Sequence, residues 1–204
     1  NGLIVTVPLE ENLVYGTQRA TGKIWQVDPT TGDATLEFIA PIPPVRSRSP
    51  GSPNGLAYDT LNDRLYYTEY KGGGDATADL YFYDGVGQTY AGTLTGAIAC
   101  ADFYAGKYYY IAGNPTDDLY EVTFNPDGTK ATNTKLPDIS ANEHRWTFGG
   151  DIAISPEGVI YGLGSCSVGS HGYEFFKVNR DGTGQEMGKQ GGYAFSLQLA
   201  FGSD

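Results

Sequence analysis

One four-part unit recurs along this chain, and it restricts the folds open to it more than any other feature. The clearest copy begins at Ser52-Pro53-Asn54-Gly55, a turn that leads into a short apolar run, Gly55-Leu56-Ala57-Tyr58. A polar turn at Leu61-Asn62-Asp63-Arg64 precedes a second run, Leu65-Tyr66-Tyr67-Thr68. After a polar loop comes a third run, Asp79-Leu80-Tyr81-Phe82-Tyr83-Asp84. It ends in the turn Asp84-Gly85-Val86-Gly87, before a fourth run, Thr89-Tyr90-Ala91-Gly92-Thr93-Leu94. Short aromatic and β-branched runs bounded by Gly, Pro, Asn and Asp are the pattern of strands joined by tight turns.

Each part has counterparts elsewhere. The second run returns as Leu13-Val14-Tyr15-Gly16, Tyr108-Tyr109-Tyr110-Ile111 and Val159-Ile160-Tyr161-Gly162. The third returns as Lys23-Ile24-Trp25-Gln26-Val27-Asp28, Asp118-Leu119-Tyr120-Glu121-Val122 and Tyr173-Glu174-Phe175-Phe176-Lys177-Val178-Asn179. The turns that close the third runs begin with an Asx residue at 28, 84, 125 and 179 and carry Gly downstream, a spacing of roughly 50 residues. Asx side chains start turns by bonding nearby backbone, and Gly supplies positive φ. The first run recurs at Ala101-Asp102-Phe103, at Asp151-Ile152-Ala153-Ile154, more loosely at Gly2-Leu3-Ile4-Val5, and at the C-terminal Leu197-Gln198-Leu199-Ala200-Phe201.

Four short strands per repeat of this length predict an all-β fold, a β-propeller of four-stranded antiparallel blades. A single blade has two faces to hide, and a ring gives each face a neighbour. The expected blades are residues 1–40, closed by 195–202, then 52–95, 97–137 and 148–190, so the ring is four-bladed. A fragment of a five- or six-bladed ring and a β-sandwich are the alternatives. In the four-bladed reading Leu197–Phe201 becomes the innermost strand of the first blade. Leu3, Ile4, Val5 and Val7 are then free as an extra, apolar terminal strand, one suited to pairing with another copy of the chain.

Composition narrows the function. With 204 residues, 40% of them apolar, the chain can bury a core, and 29 glycines with 16 tyrosines and one Met suit strands better than helices. A net charge of −11 argues against nucleic acid or anionic membranes as partners, and no apolar run is long enough for a membrane helix. Few lysines and abundant Gly, Thr, Ser and Tyr lean toward an extracellular setting. The two cysteines, Cys100 and Cys166, fit no zinc spacing. They are either a disulfide or two free thiols.

Pro53-Asn54-Gly55-Leu56-Ala57-Tyr58 and the run from Gly150 to Tyr161 resemble blades of the regucalcin/gluconolactonase and NHL-type propellers, and of uncharacterised secreted propeller domains. The resemblance covers nearly the whole chain at the level of blades. It implies a divalent ion such as calcium on the ring axis, with Asn54 and Asp151 at ligand positions; the matching position in the third repeat is Cys100 or Ala101. Read from the residues alone, Asn54 is turn chemistry before a strand and Asp151 a cap on exposed backbone.

Recognition is expected in the long connections. Arg46 and Arg48 lie in one of them and Arg145 and Trp146 in residues 137–150, where a pair of arginines would meet a carboxylate or an acidic sugar. Tyr15, Tyr67, Tyr110 and Tyr161 recur at one place in the second run, as packing between blades or as a sugar-binding ring. The function expected is non-enzymatic. It is that of an extracellular binding or structural module, meeting other copies of itself, an extracellular protein or a glycan, with head-to-tail assembly through a terminal strand as one form. A metal-dependent lactonase-like hydrolase and a lectin-like propeller are the alternatives.

Overall fold

The computed structural model describes residues 13–18, 21–41, 52–70, 76–113, 118–137, 140–141, 144–166 and 173–189. Among them are sixteen strands and no helix. The first sheet holds β1 (Val14–Thr17), β2 (Lys23–Val27) and β3 (Ala34–Ile39) in that order. The second holds β4 (Ser52–Asp59), β5 (Arg64–Tyr70), β6 (Thr77–Tyr83) and β7 (Gln88–Thr95). The third holds β8 (Ala97–Tyr104), β9 (Lys107–Gly113), β10 (Asp118–Phe124) and β11 (Lys130–Lys135). The fourth holds β12 (Ser140–Ala141), β13 (His144–Ile154), β14 (Ile160–Cys166), β15 (Tyr173–Val178) and β16 (Gly184–Lys189). Every pairing is antiparallel and joins neighbours in sequence. Among the described residues the chain is therefore all-β, with four sheets made one after another, and each recurring unit is one sheet.

The turns form as their sequences require. Asp28 Oδ1 accepts the Thr30 and Thr31 N–H groups, and Gly32 N–H closes back on Asp28 O at 2.8 Å. Asp84 Oδ1 takes the Val86 and Gly87 N–H groups. The two later turns are near copies: Asp127 and Asp181 each accept the N–H and the hydroxyl of the Thr two residues on, at 2.9 and 2.6 Å. A side chain that satisfies backbone in the turn lets the chain reverse without orphaning an N–H. Between the second and third sheets the connection is Gly96 alone, at φ +76, where a Cβ would lie 2.9 Å from that of Ala112.

The core divides into three seams, one between each pair of successive sheets. Ile24 and Phe38 of the first sheet meet Leu65 and Tyr67 of the second. Tyr66, Leu80, Phe82 and Leu94 of the second meet Ile98, Tyr108, Tyr110 and Val122 of the third. Cys100, Tyr109, Ile111 and Leu119 of the third meet Ile152, Ile154, Ile160 and Phe176 of the fourth. Period-two alternation explains the division. In β5, Leu65 and Tyr67 face back to the first sheet and Tyr66 faces on to the third. In β9, Tyr108 and Tyr110 face back and Tyr109 and Ile111 face on. A run that is apolar throughout is thus a strand buried on both faces, and Tyr66, Tyr67, Tyr108, Tyr109 and Tyr110 are all fully buried.

Hydrogen bonds reinforce the seams. Arg64 of the second sheet donates to Pro126 O in a turn of the third at 3.1 Å and lies over the Phe82 ring, and Tyr66 donates to Gly128 O at 3.2 Å. One sheet further on, Tyr104 donates to Pro156 O, and the Arg180 guanidinium covers both Tyr104 and Tyr109. Lys107 and Tyr109 converge on Glu121 at 2.7 Å each. The first seam is joined by Gln88, which donates to Ile39 O at 2.9 Å while accepting from Tyr67.

Candidate functional site

The first strands of the second, third and fourth sheets, β4, β8 and β13, lie side by side, with β8 in the middle. Each breaks its ladder at a comparable place. In β4 the register shifts between Asn54 and Ala57, in β8 between Ile98 and Cys100, and in β13 between Phe148 and Ile152. A bulge re-aims a side chain and frees backbone groups, and bulges gather at functional or tightly joined places. Here the freed groups are used to join one sheet to the next. Asn54 Nδ2 donates to Ile98 O at 2.7 Å, crossing from β4 to β8. Tyr108 of β9 donates to Gly55 O at 2.6 Å, while within the second sheet Thr68 of β5 donates to Asn54 O at 3.0 Å. Gly55 sits at φ +55, and a Cβ there would come within 2.6 Å of the Tyr108 hydroxyl and 2.8 Å of Ile98 Cγ2. Only glycine provides both the backbone angle and the space.

Across the next junction the same task falls to Asp102. Its Oδ2 accepts the Ile154 N–H of β13 at 2.6 Å, and its Oδ1 accepts the Phe103 N–H at 2.7 Å. Burial pushes its pKa up to about 6, the two N–H groups oppose that rise, and the nearby Asp151 charge adds to it. Asp151, in the β13 bulge, turns Oδ1 onto the N–H of Ile152 at 3.0 Å. Two residues before Asp102 stands Cys100, a buried free thiol. Burial first, then the Asp151 charge, push its pKa well above the ordinary thiol range, so it is held as the neutral, unreactive form.

The sequence-predicted residues divide accordingly. Asn54, Asp151 and Cys100 do come to adjacent first strands. Asn54 and Asp151 flank β8, and the third position is a neutral thiol, whereas calcium requires converging oxygens. Among the described residues no three His, Cys, Asp or Glu side chains gather as a metal site would need. The described residues therefore do not fit such an ion. Of the two readings of the cysteines, the free thiol is the one Cys100 takes. Its strand pairs it with Ile111 inside a seam, while Cys166 ends β14 opposite Trp146. Residues 144–150 are not the loop expected: they begin the eleven-residue β13, with Arg145 opposite Ser140 and Trp146 opposite Cys166. An antiparallel ladder, and not a flexible connection, fixes their backbone. Arg46, Arg48, Leu3, Ile4, Val5 and Val7, and the run Leu197–Phe201, lie outside the described residues, as do the side chains of Arg145, Trp146 and Cys166.

The four recurrent tyrosines do not form one ring. Tyr67 and Tyr110 face the preceding sheet. Tyr15 packs against the following sheet, beside Tyr58. Tyr161 alternates with Ile160, which faces back to the third sheet, and stacks on Phe175 of its own sheet. A one-residue difference in register turns a strand side chain to the other face. The residues that sequence reasoning missed are Asp102 and Gly55 in their joining roles. The signal was present only as a carboxylate and a glycine inside otherwise apolar first strands.

No family model matches the sequence, and no curated protein is significantly similar to it. Among solved structures, the chain is similar to the crystal structure of Myxococcus xanthus glutaminyl cyclase, with a TM-score of 0.44 and 17% identity over 86% of this chain and 70% of that one. A likeness at that level carries no inference about fold or activity. No helix among the described residues is long and apolar enough to cross a membrane.

Proposed function

We propose that the chain is a four-bladed β-propeller acting as a non-enzymatic binding or structural module outside the cell, with a terminal strand available for assembly with further copies. The observation that carries this reading is the difference between the first sheet and the others. In the second, third and fourth sheets a strand precedes the one equivalent to β1, and these leading strands are stitched to one another by Asn54 and Asp102. Among the described residues the first sheet starts at β1 itself, and Val14 at its margin is 54% exposed. A strand laid along β1 would complete the pattern, and Leu197–Phe201 has the alternation to supply it. The Gly2–Pro8 run would then remain for a partner. Asn54, Asp102 and Asp151 on the leading strands favour a scaffold over a catalyst, because each bonds backbone of the neighbouring strand or its own.

Two truncations test this, read by thermal melting and by light scattering after size exclusion. Removing residues 195–204 should lower the melting temperature sharply, since the ring would lose its closing strand. Removing residues 1–8 should leave the melt in place and abolish concentration-dependent association. An unchanged melt in the first variant would rule out closure by the C-terminus. A monomer at all concentrations in the parent chain would rule out self-assembly and leave a glycan or a different protein as partner.

A further inference from the structure

We propose that Tyr67, Tyr81 and Tyr90 form a path for one-electron oxidation that carries a hole out of the first seam and traps it at the surface on Tyr90. The inner member, Tyr67, is fully buried. Its ring stacks on Tyr81 at 5.8 Å between centroids with 17° between planes, and Tyr81 meets Tyr90 edge-on at 5.7 Å. Tyr90 is 51% exposed. Electron exchange falls steeply with distance and is fast between rings in contact. On the inner side the series ends at Phe38, 5.6 Å from Tyr67, because a benzene ring is too hard to oxidise to serve as a relay.

The direction of flow follows from where a phenol proton can go. An oxidised phenol is a very strong acid, and it is stabilised where a base can take its proton. Tyr67 donates to the amide oxygen Gln88 Oε1 at 2.5 Å, which does not hold a proton, and burial also raises its pKa. The Tyr90 hydroxyl lies 2.7 Å from Thr93 Oγ1, which in turn donates to Asp79 Oδ1 at 3.1 Å, so Tyr90 is the donor to Thr93. The three groups make a route from phenol to carboxylate.

The steps balance as follows. A hydroxyl-class radical takes one electron from Tyr67 or Tyr81 and a proton from solvent, and leaves as water. An electron passes inward from Tyr90, restoring the inner phenol. The Tyr90 O–H bond breaks, its proton moving to Thr93 as the Thr93 proton moves to Asp79, which leaves a neutral tyrosyl radical. A soluble thiol gives a hydrogen atom to that oxygen, its thiyl radicals couple to a disulfide, and Asp79 returns its proton to solvent. The interior of the seam is thereby spared permanent oxidation.

The test is pulsed ultraviolet photoionisation of the whole chain in the presence of a nitroso spin trap, with adducts located by peptide mass spectrometry. In the parent protein the adduct should concentrate on Tyr90. Tyr81→Phe, which breaks the relay, and Thr93→Val, which breaks the proton route but leaves the rings in place, should each lower that adduct severalfold. Tyr67→Phe removes the buried source and should lower it as well, and it serves as the readout should Tyr81→Phe disturb the fold. An adduct on Tyr90 undiminished in Tyr81→Phe and Tyr67→Phe would show that Tyr90 reacts only because it is exposed, and the path would be refuted.

Discussion

Asp102 shows how much a single side chain can decide in this molecule. Its carboxylate bridges β8 to an N–H of β13, yet it stands where burial and the Asp151 charge both disfavour ionisation. With a folded pKa of about 6 against an ordinary 3.8, the folded protein binds more protons than the unfolded chain between those values. Stability from this group is therefore present at low pH and is lost as pH rises from about 4 through 6, by at most about 3 kcal/mol. Asp102→Asn should flatten that slope: the difference in urea midpoint between pH 4.5 and pH 7 should shrink in the variant. An equal difference in both proteins would place the titration elsewhere. Asp28, Asp127 and Asp181 have pKa values lowered by their turn hydrogen bonds, so they act below this window and do not confuse the comparison.

At the scale of the element, the bulged first strands are what separates this fold from a stack of plain hairpins. The bulge in β4 needs Gly55, since alanine would combine a positive φ with a Cβ 2.6 Å from the Tyr108 oxygen. Gly55→Ala is expected to cost roughly 2–4 kcal/mol from backbone strain and overpacking together. A denaturation curve checks it, and a loss below 1 kcal/mol would mean that the bulge can relax. Much of the element list was legible in the sequence. The Asx-Gly turns, the second and third runs, and the fourth run at Thr89–Leu94 all reappear as strands and turns, because local backbone chemistry fixes them. The bulges were not legible. They depend on how closely one sheet approaches the next, and the residues responsible are small or polar interruptions that look like ordinary turn signals. The same blindness to register placed Tyr15 and Tyr161 with Tyr67 and Tyr110, and it made a loop of residues 144–150.

For the whole molecule, four sheets and three seams set a gradient of protection. The second and third sheets are covered on both faces, so their central strands should open only with the molecule as a whole. The first sheet has one seam among the described residues, and Val14 and Ile39 are more than half exposed. Native-state hydrogen exchange should therefore find the β5 and β9 amides slowest and the β2 amides faster. Uniform protection across β2, β5 and β9 would show the first sheet to be covered as fully as the others. The sequential sheets were foreseen from the recurrence, since it reports a unit that cannot hide both its faces alone. The blade closing the circle was inferred from the same need, and the axial ion from resemblance. The residues of that closing strand lie outside the described ones.

The three consecutive tyrosines of β9 carry a consequence for how such a chain can vary. Tyr108 and Tyr110 belong to one seam and Tyr109 to the next, so a single inserted or deleted residue there would exchange the furniture of two interfaces at once. Length can change only where no side chain has to choose between two neighbours. The uneven distances between successive copies of the repeat fall mainly outside the central strands, in connections that range from Gly96 alone to the stretch between β3 and β4, and they are the trace that this restriction leaves.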